Sequence, residues 1–184
     1  MDTIKILGIS GSLRKGSYHT QLLKAAQSLA PQGVTVDIAG IGDLPLFNQD
    51  LEQDPPETVK AFKQKIKEND AVLFVTPEYN YSVPGVLKNA IDWASRPYGQ
   101  SAWTGKPTGS MSGSVGLQGG AKAQYHLRQS FVFLDMYPLN KPEVMVPMIQ
   151  DKFDAQGNLT DEETKKRVVE YLSALAAWTK KINK

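Results

Sequence analysis

Three serines, two glycines and an arginine crowd into Ser10-Gly11-Ser12-Leu13-Arg14-Lys15-Gly16-Ser17-Tyr18-His19-Thr20. Hydroxyls at Ser10, Ser12 and Ser17 and a fixed cation at Arg14 suit a terminal phosphate dianion, which takes charge-assisted hydrogen bonds from both kinds of group. The apolar run Ile4-Lys5-Ile6-Leu7-Gly8-Ile9 precedes the loop and reads as a short buried strand, and an amphipathic segment starts near Tyr18. Strand, small-residue loop and helix start together present an anion to the free N–H groups and positive dipole of a helix N-terminus. Two other glycine loops fail on spacing. Gly11 and Gly16 are spaced for a P-loop, but Ser17 stands where its lysine should be, and G-x-G-x-x-G lacks its third glycine. What remains is a hydroxyl-rich monophosphate loop, against the alternative of a polar turn that binds nothing.

A second loop, Thr76-Pro77-Glu78-Tyr79-Asn80-Tyr81-Ser82-Val83-Pro84-Gly85, sets two tyrosines and an asparagine between two prolines. A planar heteroaromatic ring needs that combination, a flat apolar wall with backbone donors aimed at its edge. The alternative is a proline-rich turn whose tyrosines cover the core.

Strand and helix signals alternate around these loops. Strands are expected at Ile4–Ile9, Val34–Ile38, Ala71–Val75, Lys106–Ser112 and Glu143–Val146, and helices at Tyr18–Leu29, Glu57–Asn69, Val83–Ser95, Ala121–Leu134 and Asp161–Ile182. Ala71–Val75 is continuously apolar, as for a central strand covered on both faces. Lys106–Ser112 is only weakly so. Thr160 is the expected N-cap of the last helix. The alternation predicts an α/β fold, a doubly wound parallel sheet with right-handed crossovers. Ligands then bind beyond the carboxyl ends of the strands, where the loops Ser10–His19, Thr76–Pro84 and Ser112–Gly120 gather.

At 184 residues the chain is expected to form a single domain over 1–184. It has no cysteine and two histidines, which removes thiolate chemistry and an all-histidine metal site, so redox chemistry would need a cofactor. A net charge of +2 gives no footprint for nucleic acid. Neither a signal core nor an apolar run of membrane-spanning length is present, and a soluble cytoplasmic protein is the expectation.

The two loops, with Lys88-Asn89-Ala90-Ile91-Asp92-Trp93 behind the second, resemble the NADPH-dependent FMN reductase family, and more closely its quinone and chromate reductase branch. Gly119-Gly120-Ala121, Gln124-Tyr125-His126-Leu127-Arg128-Gln129 and Asn140-Lys141-Pro142-Glu143 agree with that branch in colinear order. The resemblance implies a flavodoxin-like, doubly wound five-stranded parallel sheet of order 2-1-3-4-5 with helices on both faces. It implies FMN held without a covalent link. By motif position Ser12, Arg14, Ser17, Tyr18 and His19 would hold its phosphate. Pro77, Glu78, Tyr79, Asn80 and Tyr81 would border its ring, and Ser114 would close the site. Members use NADH or NADPH to reduce quinones, azo dyes, nitroaromatics, chromate-type oxyanions or free flavin. They are commonly homodimers or homotetramers with the flavin near a subunit boundary, and Tyr81, Lys122, Tyr125 and Glu143 are placed to form hydrogen bonds across such a contact. No catalytic side chain and no metal ligand is implied.

Relatives usually carry asparagine where this chain has His19. An imidazole there is expected to donate to the phosphate, more strongly when protonated. Glu78 reads as an orienting group rather than a base, His126 as a helix-surface or interface histidine, and Trp93 as core. Two other readings compete: a flavodoxin-like FMN-binding electron carrier that does not oxidise NAD(P)H, and a serine hydrolase. Carriers tend to be acidic, whereas this chain is slightly basic. The hydrolase lacks G-x-S-x-G.

Overall fold

Alternation of side chains along each strand decides which helix layer covers which face. The computed structural model describes residues 3–183. In strand β1 (Ile4–Ser10), Ile4 and Ile6 face one layer while Leu7 and Ile9 face the other. Helix α1 (Tyr18–Ser28) crosses to β2 (Val34–Ala39), and α2 (Glu57–Glu68) leads to β3 (Ala71–Thr76). Every residue of β3 is buried, as its unbroken apolar run requires. Helix α3 (Gly85–Ala94), β4 (Pro107–Gly113) and α4 (Ala121–Phe133) follow, and α5 (Glu162–Ile182) closes the chain. Leu22, Leu23 and Ala26 of α1 and Val168, Leu172 and Leu175 of α5 pack on one face. Phe62 of α2, Leu87 and Ile91 of α3, and Leu127 and Phe131 of α4 pack on the other.

The sheet runs β2-β1-β3-β4, all parallel, in the flavodoxin-like order. Two short strands share the fifth position, where one strand at Glu143–Val146 was expected. β5 (Tyr137–Pro138) pairs with Pro107 and Thr108, and β6 (Val144–Val146) pairs with Met111, Ser112 and Gly113. Pro138 and Pro142 have no N–H for a ladder, so the chain leaves the sheet between them.

Strand β4 is polar yet buried throughout, and its hydroxyls are answered one by one. Gln124 of α4, fully buried, is the hub. Its Oε1 accepts from the Ser110 hydroxyl at 3.0 Å, and its Nε2 donates to Ser112 Oγ at 2.9 Å and to the Val144 carbonyl at 2.8 Å. Ser112 Oγ donates to the Gly119 carbonyl at 2.6 Å, and Ser110 N–H donates to the Tyr171 hydroxyl at 2.6 Å. Gly109 makes room for α5, because a Cβ there would meet Leu175 at 2.9 Å and Tyr171 at 3.0 Å.

Two helix starts differ from expectation. Pro84 is the N-cap of α3, which begins at Gly85 rather than Val83. Asp161, not Thr160, caps α5: its carboxylate accepts from the Thr164 hydroxyl at 2.6 Å, the Thr164 N–H at 2.9 Å and Lys152 Nζ at 3.0 Å. Those bonds, the Thr164 hydroxyl foremost, hold its pKa down to about 2. At the amino edge of the sheet the start of β1 and the end of α5 converge on Asp70. Its carboxylate accepts from Lys5 N–H at 2.8 Å, and its carbonyl lies 3.5 Å from the Asn183 side-chain amide. Among the described residues no helix is long and apolar enough to cross a membrane, and no group of three or more residues is arranged to hold a metal.

Candidate functional site

The β1–α1 and β3–α3 loops touch at the carboxyl edge. Gly11 N–H donates to the Val75 carbonyl at 2.9 Å, and a Cβ on Gly11 would lie 3.2 Å from Leu87, Pro77 and Thr76. Glycine thus lets the serine-rich loop close against the proline that opens the tyrosine loop. Ser17, buried, is the N-cap of α1 and accepts from Thr20 N–H at 3.4 Å. Ser12 Oγ accepts from Arg14 N–H at 3.3 Å. The Ser10 hydroxyl is committed internally, 2.9 Å from Thr20 Oγ1. Tyr18 and His19 lie in the first turn, whose N–H groups have no carbonyl four residues back, and no acidic residue stands in that turn. The Arg14 guanidinium lies in solvent 5.4 Å from the Tyr18 ring, which packs on Phe153 at 5.7 Å. A helix end of this kind, with an arginine beside it and no carboxylate on it, fits a phosphoryl group.

His19 is turned inward. It is buried, and its Nε2 lies 2.9 Å from the Gly113 carbonyl. A carbonyl only accepts, so Nε2 carries the proton and joins the start of α1 to the end of β4. Burial lowers the His19 pKa, the Gly113 bond opposes this, and Arg14 lowers it further. The unfolded chain then takes up a proton near pH 6.5 that the folded chain resists, so stability held above that pH is lost as pH falls below it. His19→Asn is expected to flatten this acid-side loss in urea titrations between pH 5 and 7. Parallel profiles for the two proteins would remove His19 as the cause. With its Nε2 proton spent on the Gly113 carbonyl, His19 faces away from the open end of α1.

The tyrosine loop is a two-residue turn. Tyr79 N–H donates to the Ser82 carbonyl at 3.1 Å and Ser82 N–H to the Tyr79 carbonyl at 2.9 Å, with positive φ at Asn80 (51°) and Tyr81 (62°). Asparagine tolerates that conformation; a tyrosine there costs about 1–2 kcal/mol. The turn presents Tyr79 and Tyr81 as open aromatic surface, 53% and 66% exposed. Pro77 is buried beneath it, and the Glu78 carboxylate accepts from Ala123 N–H of α4 at 3.1 Å. His126, exposed as expected, lies 3.0 Å from the Ser82 hydroxyl. Trp93 is core.

The third loop follows β4. Ser114 Oγ donates to the Gly116 carbonyl at 3.1 Å, Ser114 N–H donates to the Val146 carbonyl at 3.1 Å, and Val115 and Leu117 are exposed. The three loops therefore surround one edge with a phosphate-ready helix end, flat aromatic surface and aliphatic side chains. Ala123 and Gly113, which hold these loops, were not singled out from the sequence, and Gln124 entered only as part of the Gln124–Gln129 block, with no role. Each acts across a contact to another segment, which local spacing does not reveal.

A sequence profile described as NADPH-dependent FMN reductase matches residues 4–151. The chain belongs to the NADPH-dependent FMN reductase family. Within it, an NAD(P)H-dependent FMN reductase of Pseudomonas aeruginosa is 50% identical over 182 residues, 98% of each chain. A 2-hydroxy-1,4-benzoquinone reductase of a Burkholderia species is 48% identical over 177 residues, covering 96% of this chain and 97% of the relative. Among solved structures, FerB, a flavoenzyme NAD(P)H:(acceptor) oxidoreductase from Paracoccus denitrificans, superposes with a TM-score of 0.87 at 41% identity, covering 97% of this chain and 98% of FerB.

Proposed function

We propose that this FMN reductase family member is an FMN-dependent NAD(P)H:acceptor oxidoreductase whose acceptors are small molecules, quinones first among them. The observation that carries the reading is the contact at Gly11, which sets an acid-free helix N-terminus with Arg14 beside a turn of exposed aromatic surface. In this reading Arg14, the Ser12 and Ser17 hydroxyls, and the first N–H groups of α1 bind the phosphate of FMN. Tyr18 packs the Arg14 side and His19 braces the loop from behind. Pro77, Glu78, Tyr79, Asn80 and Tyr81 form the ring-side wall, and Ser114 shapes the loop opposite. Bound FMN supplies hydride transfer between NAD(P)H and the acceptor. The chain's own residues bind, orient and leave one face open, and none is needed as an acid or base. Nitroaromatics, azo dyes, chromate-type oxyanions and free flavin are further acceptors that an open face admits. NADPH and NADH are both candidate donors. The pyridine nucleotides it consumes are intracellular reductants, and we place the protein in the cytoplasm as one domain.

The same reading includes a homodimer or homotetramer. A cleft of about 720 Å³ lies away from the three loops, between the distal parts of α3 and α4, and its walls include Ile91, Tyr98, Phe133 and Leu134. Val132 and Phe133, at the same end of α4, are exposed. Contiguous apolar surface of this kind suits a second copy. Light scattering at micromolar concentration is expected to give twice or four times the chain mass; a fully active monomer would remove this part.

Purified protein is expected to be yellow, to release FMN rather than FAD on acid treatment, and to bleach anaerobically with NADPH or NADH. A quinone is expected to restore the colour. A protein that binds FMN but bleaches with neither nucleotide is the electron carrier, and one that FMN cannot reconstitute defeats both readings.

A further inference from the structure

Helix α4 starts without a cap of its own. Gly120 stands at its N-cap in the left-handed conformation (φ 78°, ψ 26°) with no side-chain bond to give. A Cβ there would meet the Cβ of Ser112 at 2.9 Å and the Gly113 carbonyl at 3.1 Å. The residues that ordinarily cap a helix (Ser, Thr, Asp, Asn) are therefore excluded from this position by space and by φ. No acidic residue occupies the first turn. The Ala121 N–H donates to the Gln118 carbonyl at 3.1 Å, but the next N–H groups at the positive end of this 13-residue helix have no acceptor from the cap residue's side chain.

The acceptor comes from another loop. Glu78, 45 residues earlier in the chain, reaches the third N–H of α4, that of Ala123, at 3.1 Å. Two more ties join the same turn to the same helix: the Ser82 hydroxyl lies 3.0 Å from His126 Nδ1, and Lys122 Nζ lies 3.4 Å from the centre of the Tyr81 ring. Between these ties sit Asn80 and Tyr81 with their positive φ. A left-handed tyrosine persists only where its surroundings over-determine it, and here α4 does so.

We infer that Glu78 is a positioning residue: it caps α4, and through that cap it holds the turn Tyr79–Ser82 in the one conformation that faces the flavin ring. It touches no reacting atom and moves no proton. Because the cap is spent on α4, the acid-free end of α1 is left for the phosphate. The inference rests on the FMN reading above and assigns the ring side of the site to α4, while the phosphate side belongs to α1.

FMN and riboflavin, titrated separately into apoprotein, separate the two sides, because riboflavin has no phosphate. Glu78→Ala is expected to weaken both by about five- to tenfold, the worth of one helix cap, and to alter the visible circular dichroism of the bound flavin. Glu78→Gln, whose amide oxygen accepts the same bond, is expected to restore both to within about twofold. Arg14→Ala is expected to weaken FMN alone. His126→Ala, at an exposed position, is expected to weaken both flavins by about two- to threefold, one hydrogen bond's worth, even if Glu78→Ala folds poorly. The inference is overturned if Glu78→Ala binds riboflavin as the parent does, or if Glu78→Gln falls with Glu78→Ala, which would make the charge itself the active feature. A parent protein that takes neither flavin defeats the FMN reading instead. The cap is then judged on apoprotein melting, which is expected to drop in Glu78→Ala and recover in Glu78→Gln.

Discussion

Gln124→Leu is expected to destabilise the fold by about 3–5 kcal/mol, because it strips partners from buried groups that each cost roughly 1–3 kcal/mol when left unpaired. The leucine is close in volume, so the loss isolates the polar contribution. It leaves the Ser110 hydroxyl without a partner and takes one of two from Ser112 Oγ and from the Val144 carbonyl, which keeps its place in the β4–β6 ladder, all within the buried centre of the sheet. A domain of this size loses roughly 2–4 °C per kcal/mol, so the melting midpoint should fall by about 10 °C. Adding Ser110→Ala to Gln124→Leu should recover part of that, since removing both partners of a bond costs less than removing one. Calorimetry finding the single variant within about 1 kcal/mol of the parent would mean that water or a shifted backbone answers these groups.

Arg14→Ala is expected to weaken FMN binding by roughly ten- to hundred-fold, the worth of a charge-assisted phosphate contact at about 1.5–3 kcal/mol. The side chain lies in solvent and makes no ion pair among the described residues, so folding should be spared. The hydride step in flavin-saturated protein should change little, which separates this variant from one that disturbs the ring side. The effect should also shrink as salt rises, because the arginine is exposed. An unchanged dissociation constant at low salt would remove Arg14 from the phosphate site.

How far the sequence was legible depended on how local the determining contact was. Strand β3 announced itself through an unbroken apolar run, and all of it is buried. The phosphate loop was legible because strand, serine-glycine turn and helix start are neighbours in the chain. Strand β4 was harder: its serines read as polar until Gln124 and Tyr171 arrive from other elements to pair them. Of the two strands at the fifth position, β6 falls within the expected Glu143–Val146, whereas β5, two residues long and half proline, carries no strand pattern to read. The cap of α5 was misplaced by one residue because Thr160 and Asp161 are both good caps, and the Lys152 contact that favours the carboxylate is tertiary. His19 and Glu78 were placed in the site by motif position, but what their side chains bond, Gly113 and Ala123, lies 94 and 45 residues away.

The convergence of Lys5 and Asn183 on Asp70 gives the molecule a handle and a working end. Asp70 precedes β3, so this junction lies at the amino edge of the sheet, whereas the three loops crown the carboxyl edge. A linker joined near Lys5 or Asn183 should leave the loops unobstructed. Tethered to an electrode or a bead through such a linker, the protein should stand with its loops toward solution, and a reporter domain fused there should not compete with an incoming electron acceptor.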